Sequence, residues 1–356
     1  MSRPMLNQII VGTALGDAIT DQALLIRRWL RELGFVSELY AEVIVPELRR
    51  EVRYVDQYRP QAGERWVIYH HSIGAEIVNR LLAWPMRVVM IYHNVTPPEF
   101  FHTLEPVLAR QMQAGREQLR ALRPHTALAL ADSPFNELDL KAEGFERTGV
   151  LPITLDERNY QLPLNSKLAA CLAEHSPRLL FVGRLAPNKK QDDLLKLMYH
   201  YRRIEPGARL ALVGSAWMLG YEAWLKEIAV SLGIREAVEF TRAVSQADLL
   251  TYYRHSAVYI SMSEHEGFGK PLIESMYLGV PVLAYAATAV PGTMGEAGVL
   301  FHAKHYEAVA EMVDVLVKDT ALRQRLIARQ RERAQAFLEP HTRQIWTLAL
   351  QALGAL

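Results

Sequence analysis

One pattern constrains this chain more than any other. A short apolar run, an amphipathic stretch and another short apolar run follow one another along most of its length. Residues 6–11 read as a buried strand and 17–33 as a helix ending at Gly34. Strand-like runs recur at 66–69, 87–92, 126–131 and 148–153, with helical stretches at 73–82, 103–122 and 134–141 between them. Alternation of this kind predicts a parallel sheet covered by helices on both faces. The rhythm pauses over the polar residues 156–176, which read as a linker. It then restarts with strands at 178–182, 209–213, 238–240, 258–260 and 282–285, separated by helices at 192–201, 221–232, 246–253 and 271–278. A mostly helical tail, 306–356, is broken near Glu339-Pro340. The expectation is therefore an α/β chain with two doubly wound, Rossmann-like halves.

Composition excludes several classes. Half of the 356 residues are hydrophobic and 22% are charged, which excludes a wholly disordered chain. Lys plus Arg number 40 against 39 Asp plus Glu, a net charge of +1, so no global field exists to hold nucleic acid. Cys171 is the only cysteine; it forms no intrachain disulfide and anchors no cysteine zinc cluster. Residues 6–11 are too short for a signal-peptide core. Residues 275–295 carry no charge over 21 positions, about the length of a membrane span, but two prolines and three glycines interrupt them. A cytoplasmic protein is expected, with the inner face of a membrane open as a peripheral station.

Chemistry concentrates in two segments. Residues 264–274 read EHEGFGKPLIE. Gly267 and Gly269 let backbone approach a ligand closely, and Pro271 suits the first turn of a helix. A helix starting near Gly269 would aim its free N–H groups at an anion such as a diphosphate. Glu274, one turn in, could accept bonds from both hydroxyls of a ribose, and Glu266 would lie further toward whatever the diphosphate carries. The plainer alternative is a glycine-rich turn with solvated glutamates. Residues 181–195 read FVGRLAPNKKQDDLL: a strand ending in Gly183-Arg184, a loop with Pro187, then Lys189 and Lys190 opening a helix. Cations at the carboxyl end of a strand suit phosphates.

Together these segments resemble the retaining glycosyltransferases of family 4, the glycosyl transferases group 1, which have the GT-B fold. Gly183, Arg184 and Lys189 match the family's strand–G-R–loop–K element. Glu266 and Glu274 match its E-x7-E, with Gly267, Phe268 and Gly269 in place, and residues 279–282 match its following strand. The resemblance implies two Rossmann-like domains facing an interdomain cleft: an acceptor-side domain at 1–165, a donor domain at 166–335, and a C-terminal helix, 336–356, returning to the first domain. It implies a hexosyl transfer with retention, from a nucleotide diphosphate sugar such as a GDP- or UDP-hexose. The acceptor would be a saccharide, a lipid-linked or a small molecule, in bacterial-type polysaccharide or glycoconjugate synthesis. Neither a cofactor nor a metal is implied, since Arg184, Lys189 and a helix end take the neutralising role.

The N-terminal half matches more loosely. Gly16 stands where the family has a glycine turn facing the donor diphosphate. His93, at the end of the strand at 87–92, stands where members carry a histidine near the sugar. With Glu266 it is the implied catalytic pair. Ser133 ends the next strand, as a cleft residue or a helix cap. Val244 lies in the turn whose backbone usually meets the nucleotide base. There are departures. Lys190 replaces the glycine that usually follows the family's lysine, leaving either lysine to meet the phosphate, with Lys189 favoured. Lys270 replaces an apolar residue. Loop 288–292 replaces the usual Gly-Gly-x-Pro-Glu, and no contacts are carried over to it. Two other readings stay open: another GT-B enzyme, such as a sugar-nucleotide epimerase or a phosphorylase, and a non-catalytic subunit that binds nucleotide sugars.

Overall fold

A computed structural model of the chain describes residues 3–216 and 218–356. They form two compact units, Met1–Thr154 with Glu339–Leu356, and Leu155–Leu338.

The first unit is built on seven strands: β1 (Gln8–Gly12), β2 (Leu39–Val43), β3 (Arg53–Tyr54), β4 (Trp66–His71), β5 (Arg87–Tyr92), β6 (Thr126–Ala131) and β7 (Thr148–Val150). All pairings are parallel, in the order β3-β2-β1-β4-β5-β6-β7. Its helices are α1 (Ala18–Glu32), α2 (Ile77–Ala83), α3 (Pro106–Leu122) and α4 (Pro134–Ala142). Both faces of the sheet are dry, which is why its central strands are nearly continuous apolar runs. Val67, Tyr69, Val88, Met90 and Tyr92 pack on one face with Ile77, Val78 and Leu81 of α2 and Leu119 of α3. Ile68, Val89 and Ile91, the alternate residues, pack on the other with Ile26 and Trp29 of α1. Trp346, Leu350 and Leu353 of the last helix join that second face.

In the second unit α5 (Ser166–Ala173) precedes β8 (Arg178–Val182), α6 (Gln191–Ile204), β9 (Arg209–Val213), α7 (Leu219–Ser231) and β10 (Val238–Arg242). Then come α8 (Gln246–Arg254), β11 (Val258–Ser261), α9 (Lys270–Leu278), β12 (Val282–Tyr285), α10 (Val290–Met294) and β13 (Val299–Phe301). Helices α11 (Tyr306–Lys318) and α12 (Thr320–Gln335) complete it, and α13 (Glu339–Leu353) belongs to the first unit. The sheet order is β10-β9-β8-β11-β12-β13. The uncharged run 275–295 resolves into the end of α9, β12 and α10. Among the described residues no helix is long and apolar enough to cross a membrane.

Three expectations need correction. β2, β3 and β13 are strands that the apolar pattern did not mark. The polar stretch read as a linker holds a 3-10 turn, Glu157–Tyr160, and α5. Residues 155–165, placed with the first half, are built into the second unit. Side-chain bonds hold them there: Tyr160 donates to Glu274, and Asn165 donates to Asp248 through its amide and to Thr251 through its backbone N–H. Bonds between residues some 85 to 115 positions apart leave no local mark on a sequence.

Candidate active site

A doubly wound sheet opens a crevice at the carboxyl ends of the neighbouring strands where the winding direction reverses. In the second unit these strands are β8 and β11. Arg184 leaves β8 exposed to solvent. A 3-10 turn, Pro187–Lys189, follows, and Lys190 then N-caps α6 at φ 54° and ψ 47°. Glycine reaches this left-handed region without a Cβ penalty, and Lys190 stands where the resembled family has glycine. Its ammonium lies 3.5 Å from Asp192.

The loop after β11 is tied to the loop after β8. Glu264 donates its N–H to the Asn188 carbonyl at 2.9 Å, and the Asn188 amide donates to the His265 carbonyl at 3.1 Å. Lys189 Nζ donates to Glu266 Oε2 at 2.6 Å. The side chains of this pair are only 19% and 14% exposed, so water screens it less than a surface pair. The two expected ligand groups of opposite charge thus hold each other. Loop 288–292, to which no contact was carried over from the family, braces Glu266: the Thr288 hydroxyl accepts from the Glu266 N–H at 2.8 Å and donates to the Glu266 carbonyl at 2.9 Å. Thr293 donates to the Phe268 carbonyl at 2.7 Å. The Phe268 ring is buried edge-on to Phe337 and leaves only backbone for a ligand. Gly269, at φ 88°, starts α9, and a Cβ there would also come within 2.7 Å of Leu272. Pro271 occupies the first turn.

Glu274 lies one turn into α9 and is 4% exposed. Its Oε1 accepts from the Tyr160 hydroxyl at 2.8 Å and its Oε2 from the Tyr253 hydroxyl at 2.7 Å, with Lys270 Nζ 3.8 Å from Oε1. Burial and the adjacent Glu274 carboxylate hold the Tyr253 hydroxyl well above the usual tyrosine range, so it remains a donor at neutral pH. A carboxylate offers about four lone-pair sites, and two tyrosines leave about two for a ligand. Tyr160 and Tyr253 were not legible as site residues, because neither lies near the motif in sequence. Val244 is half-buried between β10 and Ser245, the N-cap of α8.

In the first unit, Gly16 lies exposed at φ 71° after β1, next to Asp17, which caps α1. Ser133 N-caps α4, accepting from the Asn136 N–H, as the capping alternative required. His93, just past β5, has both ring nitrogens engaged, one with His70 at 3.0 Å and one with Asp132 at 3.3 Å. Its side chain is 3% exposed. Among the described residues, no three His, Cys, Asp or Glu side chains gather as a metal's ligand set.

Two cavities lie elsewhere. One of about 600 Å³ is lined by Arg87, Arg123, Thr126 and Arg147. Another of about 450 Å³ is lined by Arg178, Arg209 and Val238. Both sit at the amino ends of strands, opposite the end that carries the motif residues, and neither contains one of them. Strand direction rather than cavity size therefore locates the site.

Comparison with known proteins bears on the same half. Residues 170–333, just under half of the chain, match the family described as glycosyl transferases group 1. A D-inositol 3-phosphate glycosyltransferase of Thermobifida fusca is 32% identical over 163 residues, 44% of this chain and 38% of that protein. An O-antigen chain mannosyltransferase B of Escherichia coli is 28% identical over 162 residues, 44% of this chain and 41% of that one. The chain thus spans well under two thirds of either relative. Solved structures cover it far more fully at lower identity. HepE of Anabaena, crystallised with UDP and glucose, superposes with a TM-score of 0.78 at 16% identity over 98% of this chain and 100% of that one. Sucrose-phosphate synthase of Thermosynechococcus elongatus gives 0.76 at 18%, over 99% and 100%. The chain therefore has the GT-B fold of two Rossmann-like units, and its residues 170–333 carry the likeness to glycosyl transferases group 1.

Proposed function

We propose that this chain transfers a hexose from a nucleotide diphosphate sugar to an acceptor hydroxyl. One observation carries the reading: Arg184, Lys189 and Glu266 emerge from β8 and β11, the two strands at the switch point, beside a helix that buries Glu274 one turn in. The named relatives support it, since both are glycosyltransferases. In this reading Arg184, Lys189 and the N–H groups after Gly269 receive the diphosphate, and Lys190 and Lys270 are secondary cations. Glu274 accepts the ribose hydroxyls, and backbone near Val244 meets the base. Glu266 orients the sugar. In the first unit, Gly16 is assigned to the donor diphosphate and His93 to the sugar.

The chemical task is to stabilise the departing diphosphate and the positive charge growing at the anomeric carbon. Retention of configuration and independence of divalent metal are part of the proposal. The second rests on the cations already placed at the strand ends. The donor is a GDP- or UDP-hexose. A thermal-shift panel of GDP, UDP, ADP and their sugars tests the reading: a cognate ligand at 100 times its Kd stabilises the fold by about 2.7 kcal/mol. No shift with any member would remove the donor assignment. The anomer of the product, read by NMR, decides retention, and full loss of activity in EDTA with recovery in magnesium would contradict metal independence.

A further inference from the structure

In the first unit a line of buried polar side chains runs from Gln8, which opens β1, to the carboxyl ends of β4, β5 and β6, and its proton positions can be worked out link by link. The carbonyl of Ala23 can only accept, so Gln8 turns its Nε2 toward it, at 3.0 Å, and presents Oε1 to the other side. That oxygen can only accept, so His70 Nε2 carries the proton across the 3.1 Å between them. Full burial holds His70 well below the usual histidine range, hence neutral. The Nδ1 of a neutral, Nε2-protonated ring is a bare acceptor. His93 Nε2, 3.0 Å away, must therefore donate to it, and the two rings lie within 6° of parallel.

His93 Nδ1 then faces Asp132 Oδ2 at 3.3 Å. Two protons in that gap would collide, and none would leave two lone pairs in opposition. One proton is required: on the ring it makes an ion pair, on the carboxyl a neutral pair. The other Asp132 oxygen accepts from the Asn136 amide, which in turn accepts from Asn94 at 2.6 Å. Nearby titratable groups are bound elsewhere. His71 donates to the Gly115 carbonyl, and Tyr92 and Arg116 pair with Asp139.

We propose that Gln8, His70 and Asp132 are positioning residues that lock His93 as its Nε2–H tautomer, with one proton shared between its Nδ1 and Asp132. The lock leaves His93 no ring nitrogen to exchange a proton with a sugar hydroxyl. The residue serves instead through its fixed place and through the backbone it anchors, where Asn94 turns at φ 70°. The role in transfer rests on the hexosyltransferase reading; the tautomers do not.

Two-bond proton–nitrogen NMR spectra of the ligand-free full chain test the lock without any variant. The expected result is His70 protonated at Nε2 and bare at Nδ1, with His93 protonated at Nε2 and showing an intermediate Nδ1 shift. A His70 protonated at Nδ1 overturns the proposal. Asp132→Asn keeps the shape but removes the shared proton, so the His93 Nδ1 signal should move to that of a bare acceptor. With UDP-glucose and GDP-mannose as donors, kcat should fall roughly ten- to a hundred-fold, the scale of a misplaced positioning group, while donor KM stays within about twofold. Unchanged kcat in that variant overturns the positioning role and leaves the transferase reading intact. The expected tautomers in a wild-type chain that transfers neither sugar overturn the transferase reading and leave the lock standing.

Discussion

Both units carry polar residues at the carboxyl ends of their parallel strands and do opposite things with them. At the ends of β8 and β11 the second unit carries Arg184 exposed and Lys189 and Glu266 partly so, held by neighbouring loops but within reach of a ligand. At the ends of β4, β5 and β6 the first unit carries His70, His93 and Asp132, all under 9% exposed and bonded to one another. The carboxyl edge of a doubly wound sheet can thus be furnished as a charged reception site or as a sealed polar frame. Burial decides which, because a buried group must find its partners inside the protein.

The sharpest test of this contrast is acid. Burial lowers His71 to about 4 and drives His70 below its usual range, whereas both titrate normally once unfolded. Between pH about 6.5 and about 4 the unfolded chain binds more protons, so stability is present above that window and is lost as pH falls through it. His71 alone should cost about 3 kcal/mol across it. Thermal unfolding followed against pH should show the first unit weakening first, and His71→Gln should flatten the slope. A pH-independent melting of the first unit would erase the contrast.

Next in size is Glu266→Ala. In an accessible site it should cut turnover by roughly 100-fold or more, about 2.7 kcal/mol of transition-state stabilisation, with nucleoside diphosphate affinity nearly kept. Lys189→Ala should lower turnover far more than Lys190→Ala. If Glu266 only braces its loop, nucleotide affinity and melting temperature will fall together.

Glu274 belongs to the second unit yet is buried like the residues of the first. Glu274→Gln should weaken nucleoside diphosphate binding by about 1.5–3 kcal/mol, the scale of a charged hydrogen bond, as read by calorimetry. Equal affinity would make Glu274 a structural partner of Tyr160 and Tyr253 alone. The smallest effect is expected at Lys190. Replacing this left-handed residue by glycine should relieve about 1 kcal/mol of backbone strain and raise the unfolding midpoint. A lower midpoint would mean that the contact with Asp192 outweighs the strain.

Sequence by itself determined the two parallel sheets, because strands buried on both faces are written as local apolar runs. It also determined the candidate loops of the second unit, since Glu266 through Glu274 and Arg184 through Lys190 are each contiguous and one turn of helix sets their spacing. Tertiary structure alone decided the rest. β2 and β3 carry charges and take their place by pairing, β2 with β1 and β3 with β2. Residues 155–165 join the second unit through single side-chain bonds, and α13 joins the first through Trp346 and its neighbours. His93 became part of a frame only when β1, β4 and β6 brought Gln8, His70 and Asp132 to it from up to 85 residues away. Hydrogen bonds depend on position to within tenths of an ångström, and periodicity along a chain records only which face a residue presents.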